Sequence, residues 1–186
     1  MPDILLLSGS LRGKSSNSAL LRTANSLMPD GFRGVSYEGM TELPHFNPDE
    51  DRDPLPPAVS DLRQRIAAAA GLLICTPEYA GALPGSFKNL LDWTVGGIEI
   101  GDKPTAWINV SASATRAANA HTSLRLVLNY TGASIVEEAC VHLPVTSSMI
   151  NDDGVITDVV VRNAIAAALA ALAGRADSPQ AGLYQR

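Results

Sequence analysis

The segment Ser8-Gly9-Ser10-Leu11-Arg12-Gly13-Lys14-Ser15-Ser16-Asn17 packs hydroxyls, glycines and cationic side chains into one short stretch. Hydroxyl and backbone N–H donors at a helix start, the positive end of the helix dipole and the forked donors of Arg12 together suit a phosphate dianion. Two other readings compete. The pattern GxxxxGK[ST] nearly fits at Gly13-Lys14-Ser15, but its first glycine falls on Ser8, and Gly9 comes one residue late. A phosphotransferase of that kind also needs an acid at the end of a second apolar strand to hold Mg²⁺. Neither Leu72-Leu73-Ile74-Cys75-Thr76 nor Ile108-Asn109-Val110-Ser111 ends in one. The third reading is a plain polar turn in which Ser15, Ser16 or Asn17 caps a helix.

Two further loops carry candidate chemistry. Pro77-Glu78-Tyr79-Ala80-Gly81 follows an apolar run, and its proline and glycine let a backbone approach a ligand closely. Glu78 reads either as a solvated loop acid or as a backbone contact with an ion-pair or helix-terminus partner. Ser111 and Ser113 stand in the third loop, with Arg116 as a surface arginine. Other constellations fail. Gly34-Val35-Ser36-Tyr37-Glu38 lacks the last glycine of a nucleophile elbow and lies along a strand. His45, His121 and His142 have no paired ligand spacing, and Cys75 and Cys140 read as two buried, reduced thiols.

The elements that must position these loops alternate along the chain. Apolar runs at residues 4–7, 35–37, 71–75, 105–110 and 134–141 have the lengths of strands. Helical spacing occupies residues 17–28, 58–70, 84–95, 119–130 and 158–173, with Pro84 in a first-turn position and Asp158 as a cap. Residues 43–57 are rich in Pro and Asp and form a long surface loop. Five strands alternating with five helices predict a doubly wound α/β domain, a five-stranded parallel sheet with helices on both faces. Ligands of such sheets bind beyond the carboxyl ends of the strands, where all three loops fall. One domain over residues 1–173 and a tail over 174–186 complete the expected organisation.

Composition narrows the partners. Fourteen Lys and Arg against nineteen Asp and Glu leave a net charge of -5, which removes the basic footprint of a nucleic-acid binder. No apolar run reaches the roughly 20 residues of a membrane span, and the start of the chain lacks a secretory leader. The expectation is a cytoplasmic protein with no membrane and no nucleic-acid partner.

Taken together the loops are specific. Gly9-Ser10-Leu11-Arg12 with Ser15 and Asn17 resembles the GSLRxxSxN segment of the NAD(P)H-dependent FMN reductase family. Pro77-Glu78-Tyr79 with Pro84-Gly85, Lys88-Asn89 and Asp92-Trp93 resembles its second signature. The resemblance implies a flavodoxin-like fold that holds FMN, with Ser10, Arg12, Ser15, Ser16 and Asn17 around the phosphate and residues 77–81 around the ring and ribityl chain. Ser111 and Ser113 join the candidate contacts at the flavin edge. Many relatives carry Asn where this chain has Ala80, so a side-chain amide contact is missing here. The implied enzyme passes hydride from NADPH or NADH to FMN N5 and then reduces a small-molecule acceptor: a quinone, an azo or nitro compound, a metal oxyanion or free flavin. The cofactor carries the chemistry, so no catalytic acid, base or nucleophile is expected. The alternative is a flavodoxin-type electron carrier or a flavin-binding module without reductase activity. A homodimer or homotetramer is implied by resemblance as well, and the long loop at 43–57 is placed to help close the site. Arg12→Ala is expected to weaken FMN binding by about 1.5–3 kcal/mol, measured by FMN titration.

Overall fold

Four successive buried residues, Ile4 to Leu7, make strand β1 (Asp3–Ser8) a run with no polar side to turn outward. A computed structural model of the protein describes residues 1–113 and 117–177. Leu5 and Leu7 enter one hydrophobic cluster and Ile4 and Leu6 the other, so β1 feeds two cores with alternate side chains. β3 (Gly71–Cys75) is buried throughout and divides in the same way. The sheet runs β2-β1-β3-β4-β5 with every pair parallel, β2 being Arg33–Ser36, β4 Pro104–Asn109 and β5 Ser134–Ile135. Helices α2 (Pro57–Ala68), α3 (Gly85–Asp92) and α4 (Ala118–Tyr130) cover the face of Leu5 and Leu72 through Val59, Phe87 and Leu124. α1 (Ser16–Ser26) and α5 (Val159–Asp177) cover the other through Leu20, Ile165 and Leu169. This strand order is the flavodoxin-like one.

The expected fifth strand at 134–141 is broken. β5 pairs with the start of β4, and β6 (Val141–His142) pairs with its end, while Glu137–Ala139 between them form a 3-10 turn. Val136 and Ala139 are both buried, three residues apart, and the acids between them face solvent. That spacing suits a tight turn and defeats the two-residue alternation of a strand.

Helix α1 starts where Ser15 accepts a hydrogen bond from Ser18 N at 3.1 Å, and α5 where Asp158 accepts from Val161 N at 3.0 Å. Pro84 precedes α3 as its cap residue, one position before the expected first turn. α5 extends to Asp177, beyond the residue 173 expected, and residues 178–186 of the expected tail lie outside the described residues. At 19 residues and a mean hydropathy of 1.5, α5 is long and apolar enough to cross a membrane by those measures alone. Its Ile165, Leu169 and Leu172 pack under the sheet as a core helix does.

The long segment at 43–57 is strapped to α2 and α3. Trp93 Nε1 and Asn89 Nδ2 both donate to the Pro44 carbonyl, at 2.8 and 2.9 Å, and Phe46 meets Trp93 edge-on. Arg63 donates to Asp51 at 2.6 Å and to the Trp93 carbonyl at 2.9 Å, and both charged side chains are about nine-tenths buried. His45 is exposed on this segment.

The tightest junction lies between β1 and β3. Gly9 N donates to the Cys75 carbonyl at 2.8 Å, and a Cβ on Gly9 would lie 2.0 Å from Thr76 Oγ1 and 2.9 Å from its Cα. Gly9→Ala must therefore part the two strand ends and is expected to cost about 1–3 kcal/mol, read as a lower urea midpoint at unchanged m-value.

Candidate functional site

A cavity of about 420 Å³ opens where β1, β3 and β4 end. The first loop forms one wall with Ser10, Arg12, Lys14, Ser15, Ser16 and Asn17. Hydroxyls hold this loop in shape: Ser8 Oγ donates to the Ser10 carbonyl, Ser10 Oγ accepts from Arg12 N, and Ser18 Oγ donates to the Arg12 carbonyl. Arg22 clamps it from α1, donating to the carbonyls of Gly13 and Gly154 at 3.1 and 3.3 Å. Arg12 and Lys14 meet no carboxylate among the described residues. The N–H groups of Ser16 and Asn17, in the first turn of α1, make no hydrogen bond there either. Cationic side chains and free first-turn donors at one end of a cavity form an anion cradle.

The second wall is Thr76, Pro77, Glu78 and Tyr79. Tyr79 and Ala82 exchange both backbone hydrogen bonds, at 3.0 and 3.1 Å, around Ala80 and Gly81 with φ of 51° and 75°. This is a two-residue hairpin turn with both central residues left-handed, the setting in which Asn-Gly is the favoured pair. Alanine in that conformation costs roughly 1–2 kcal/mol of steric strain. Ala80 and Gly81 are exposed and lie outside the cavity lining, so the missing Asn bears first on the turn.

Glu78 secures a helix. Its Oε2 accepts from Ala120 N at 3.0 Å in the first turn of α4, which starts at the left-handed Ala117 with no side-chain cap of its own. The carboxylate is thus spent on a helix terminus where a negative charge is favoured. Next to it, His121 Nδ1 donates to the Ala117 carbonyl, leaving Nε2 buried without a partner. Burial pushes the His121 pKa down, with His142 helping, against the Ala117 carbonyl and Glu78, which raise it.

The third wall is Asn109, Val110, Ser111 and Ala112, with Ala117 and Val145 closing it. Asn109 Oδ1 accepts from Ser111 N at 2.9 Å, and His142 Nε2 donates to the Ser111 carbonyl at 2.7 Å. Ser113 lies outside the lining, its N–H turned toward Ser111 Oγ, and Arg116 lies outside the described residues. No residue of the segment at 43–57 lines the cavity, so the loop expected to help close the site does not reach it within this chain.

Structure thus brings nine of the twelve candidate contacts to one cavity: Ser10, Arg12, Ser15, Ser16, Asn17, Pro77, Glu78, Tyr79 and Ser111. It also adds residues that the reading of the sequence passed over. Thr76 and Asn109 are polar residues at the ends of buried strands, a visible signal. Val145 carries none. It arrives because Leu143 N and Val145 N bond to the carbonyls of Asn109 and Val110, continuing β6 past the end of β4. Cys75 stands behind the first wall with its thiol 3.1 Å from Asn17 Oδ1. It is fully buried, which pushes the thiol pKa far up and keeps it a donor. With its carbonyl oxygen held by Cys75, Asn17 has its amide NH₂ to offer the cavity.

A flavodoxin-like sheet with an anion cradle after β1 and a partly apolar slot between the loops after β3 and β4 defines an FMN-dependent NAD(P)H oxidoreductase. The chain belongs to the NADPH-dependent FMN reductase family, whose sequence model matches residues 2–147. It is 33% identical over 171 residues to an NAD(P)H-dependent FMN reductase of Pseudomonas aeruginosa, covering 91% of this chain and 92% of that one. It is 35% identical over 154 residues to a 2-hydroxy-1,4-benzoquinone reductase of a Burkholderia species, covering 81% and 83%. Among solved structures it is similar to the flavoenzyme NAD(P)H:(acceptor) oxidoreductase FerB of Paracoccus denitrificans. There the TM-score is 0.81 and the identity 26%, over 94% of this chain and 99% of that one.

Cys75→Ala removes the donor without adding volume to the buried position, so it is expected to weaken FMN binding by about 0.5–1.5 kcal/mol. Cys75→Ser restores a donor and should recover the affinity in the same FMN titration.

Proposed function

We propose that the cradle of Ser10, Arg12, Ser15, Ser16 and Asn17 holds the FMN phosphate and that Pro77, Glu78, Tyr79 and Ser111 flank the ring system. The observation that carries this reading is the meeting, in one cavity, of Arg12 and Lys14 without carboxylate partners and the free N–H groups of Ser16 and Asn17. The residues fit the group. The phosphate end is cationic, while Pro77, Val110, Ala112 and Val145 give the rest of the cavity apolar walls that exclude water. Glu78 is engaged with Ala120 N, which keeps its charge from acting as an unpaired acid against a reduced ring. Ala80, Gly81 and Ser113 shape the turns around the ring from outside the lining.

Held by these residues, FMN would supply the redox chemistry, two-electron transfer from NADPH or NADH to a second acceptor. The protein binds, aligns and shields. Arg12 and Lys14 neutralise the phosphate, the Cys75 thiol orients Asn17, and the hairpin at 79–82 fixes the backbone beside Pro77. The chain needs no acid, base or nucleophile of its own. A quinone-class acceptor is the one we favour, supported by the Burkholderia relative, whose name records a benzoquinone substrate. Azo or nitro compounds, metal oxyanions and free flavin are the comparison substrates. We further place the enzyme in the cytoplasm as a homodimer or homotetramer.

The test is a visible spectrum of the protein with FMN, followed after anaerobic addition of NADPH and, separately, NADH. Rapid bleaching, recovered on adding a benzoquinone, is the expected result. A bound flavin that neither nucleotide bleaches would make the protein an electron carrier, and no uptake of FMN would overturn the site.

A further inference from the structure

A second cavity, of about 360 Å³, lies across the first loop from the flavin site, at the carboxyl ends of β1 and β2. The flavin reading leaves it unused. Its volume falls within the roughly 300–1,000 Å³ of small-ligand sites. Leu6, Leu21 and Met40 give it an apolar wall, and Ser36 and Glu38 give it a polar rim. Ser10 and Arg12 line both cavities, so the phosphate loop is their shared partition.

Position and chemistry agree. Ser36 ends β2 and Glu38 follows it at the carboxyl edge of a parallel sheet, where an acid after the second strand accepts the hydroxyls of a ribose. Glu38 is exposed and makes no hydrogen bond or ion pair among the described residues. Arg12 brings a guanidinium with no carboxylate partner, whose planar fork matches a phosphate. Arg22 adds a second cation to the same lining, so two positive groups stand against the single carboxylate of Glu38. An apolar wall for the face of a base, a carboxylate for a vicinal diol and a guanidinium for a phosphate are the three parts of a nucleotide subsite.

We propose that this cavity binds an adenylate moiety, with Glu38 accepting from the ribose hydroxyls and Arg12 donating to the 5′-phosphate. Two redox nucleotides carry that moiety: FAD, whose flavin half would occupy the first cavity, and the nicotinamide dinucleotide. The inference rests on the flavin reading for this choice of nucleotides, while the cavity itself is read directly by 5′-AMP.

The experiment titrates 5′-AMP into the flavin-free and the FMN-loaded protein, since Arg12 lines both cavities, and into Glu38→Gln and Ser36→Trp variants, both changed at exposed positions outside the flavin cradle. The wild type is expected to bind 5′-AMP, Glu38→Gln to weaken it about tenfold or more, and Ser36→Trp to abolish it by filling the cavity, with FMN affinity unchanged. FAD binding weakened in the variants while FMN binding stands identifies the flavin dinucleotide. A raised KM for NADH, whose adenosine ribose keeps both hydroxyls free, at constant kcat identifies the nicotinamide nucleotide. No binding of 5′-AMP, or binding that both variants leave intact, overturns the proposal. Failure to take up FMN overturns the flavin reading instead, and 5′-AMP titrated into the flavin-free chain then still reports on this cavity.

Discussion

Everything at the carboxyl edge depends on how closely β1 and β3 end beside each other. Gly9 sits where any Cβ would overlap Thr76, so the strand ends touch through backbone and a threonine side chain with nothing between. A glycine is required here for its lack of volume, because close approach leaves no room for a methyl group. The crossover that makes β3 and not β2 follow β1 on this side also opens the sheet at its switch point. The loop at 9–17 leaves in one direction and the loop at 76–81 in the other, and the cavity is the space they enclose.

Each loop is then held by short-range bonds that leave its outward donors free. Serine hydroxyls tie the first loop to itself and to α1. Glu78 ties the second to the start of α4, and His142 and Asn109 tie the third to the end of the sheet. Fixed donors cost little to reorganise when an anion arrives, which is what a site that contributes binding and alignment requires. The second half of the Pro77–Trp93 signature serves the scaffold. Lys88 pairs with Asp92 along one helix face, and Asn89 and Trp93 hold Pro44.

Charge is distributed against the average. The chain carries a net charge of -5, yet Arg12 and Lys14 stand at the cavity without carboxylate partners. The acid nearest them in the second loop is committed to α4, and burial disfavours the charged forms of the Cys75 thiol and the His121 ring. The cationic side chains are therefore gathered at the phosphate end, and the Glu78 carboxylate beside the slot is directed at the first turn of α4.

The sequence by itself determined the layered α/β fold, because uninterrupted apolar runs alternating with helical spacing admit few other arrangements. It also determined most of the cavity wall: Ser10, Arg12, Ser15, Ser16 and Asn17 are contiguous, and Pro77 to Tyr79 follow a strand directly. Local pattern is enough where a contact is made by neighbours in the chain. Tertiary structure alone decided the rest. It broke the fifth strand at Glu137, brought Val145 to the cavity, aimed Cys75 at Asn17 and Glu78 at Ala120, and turned the segment at 43–57 toward α2 and α3. These contacts join residues far apart in the chain. Their partners are set by which strand ends lie side by side, and no local periodicity encodes that.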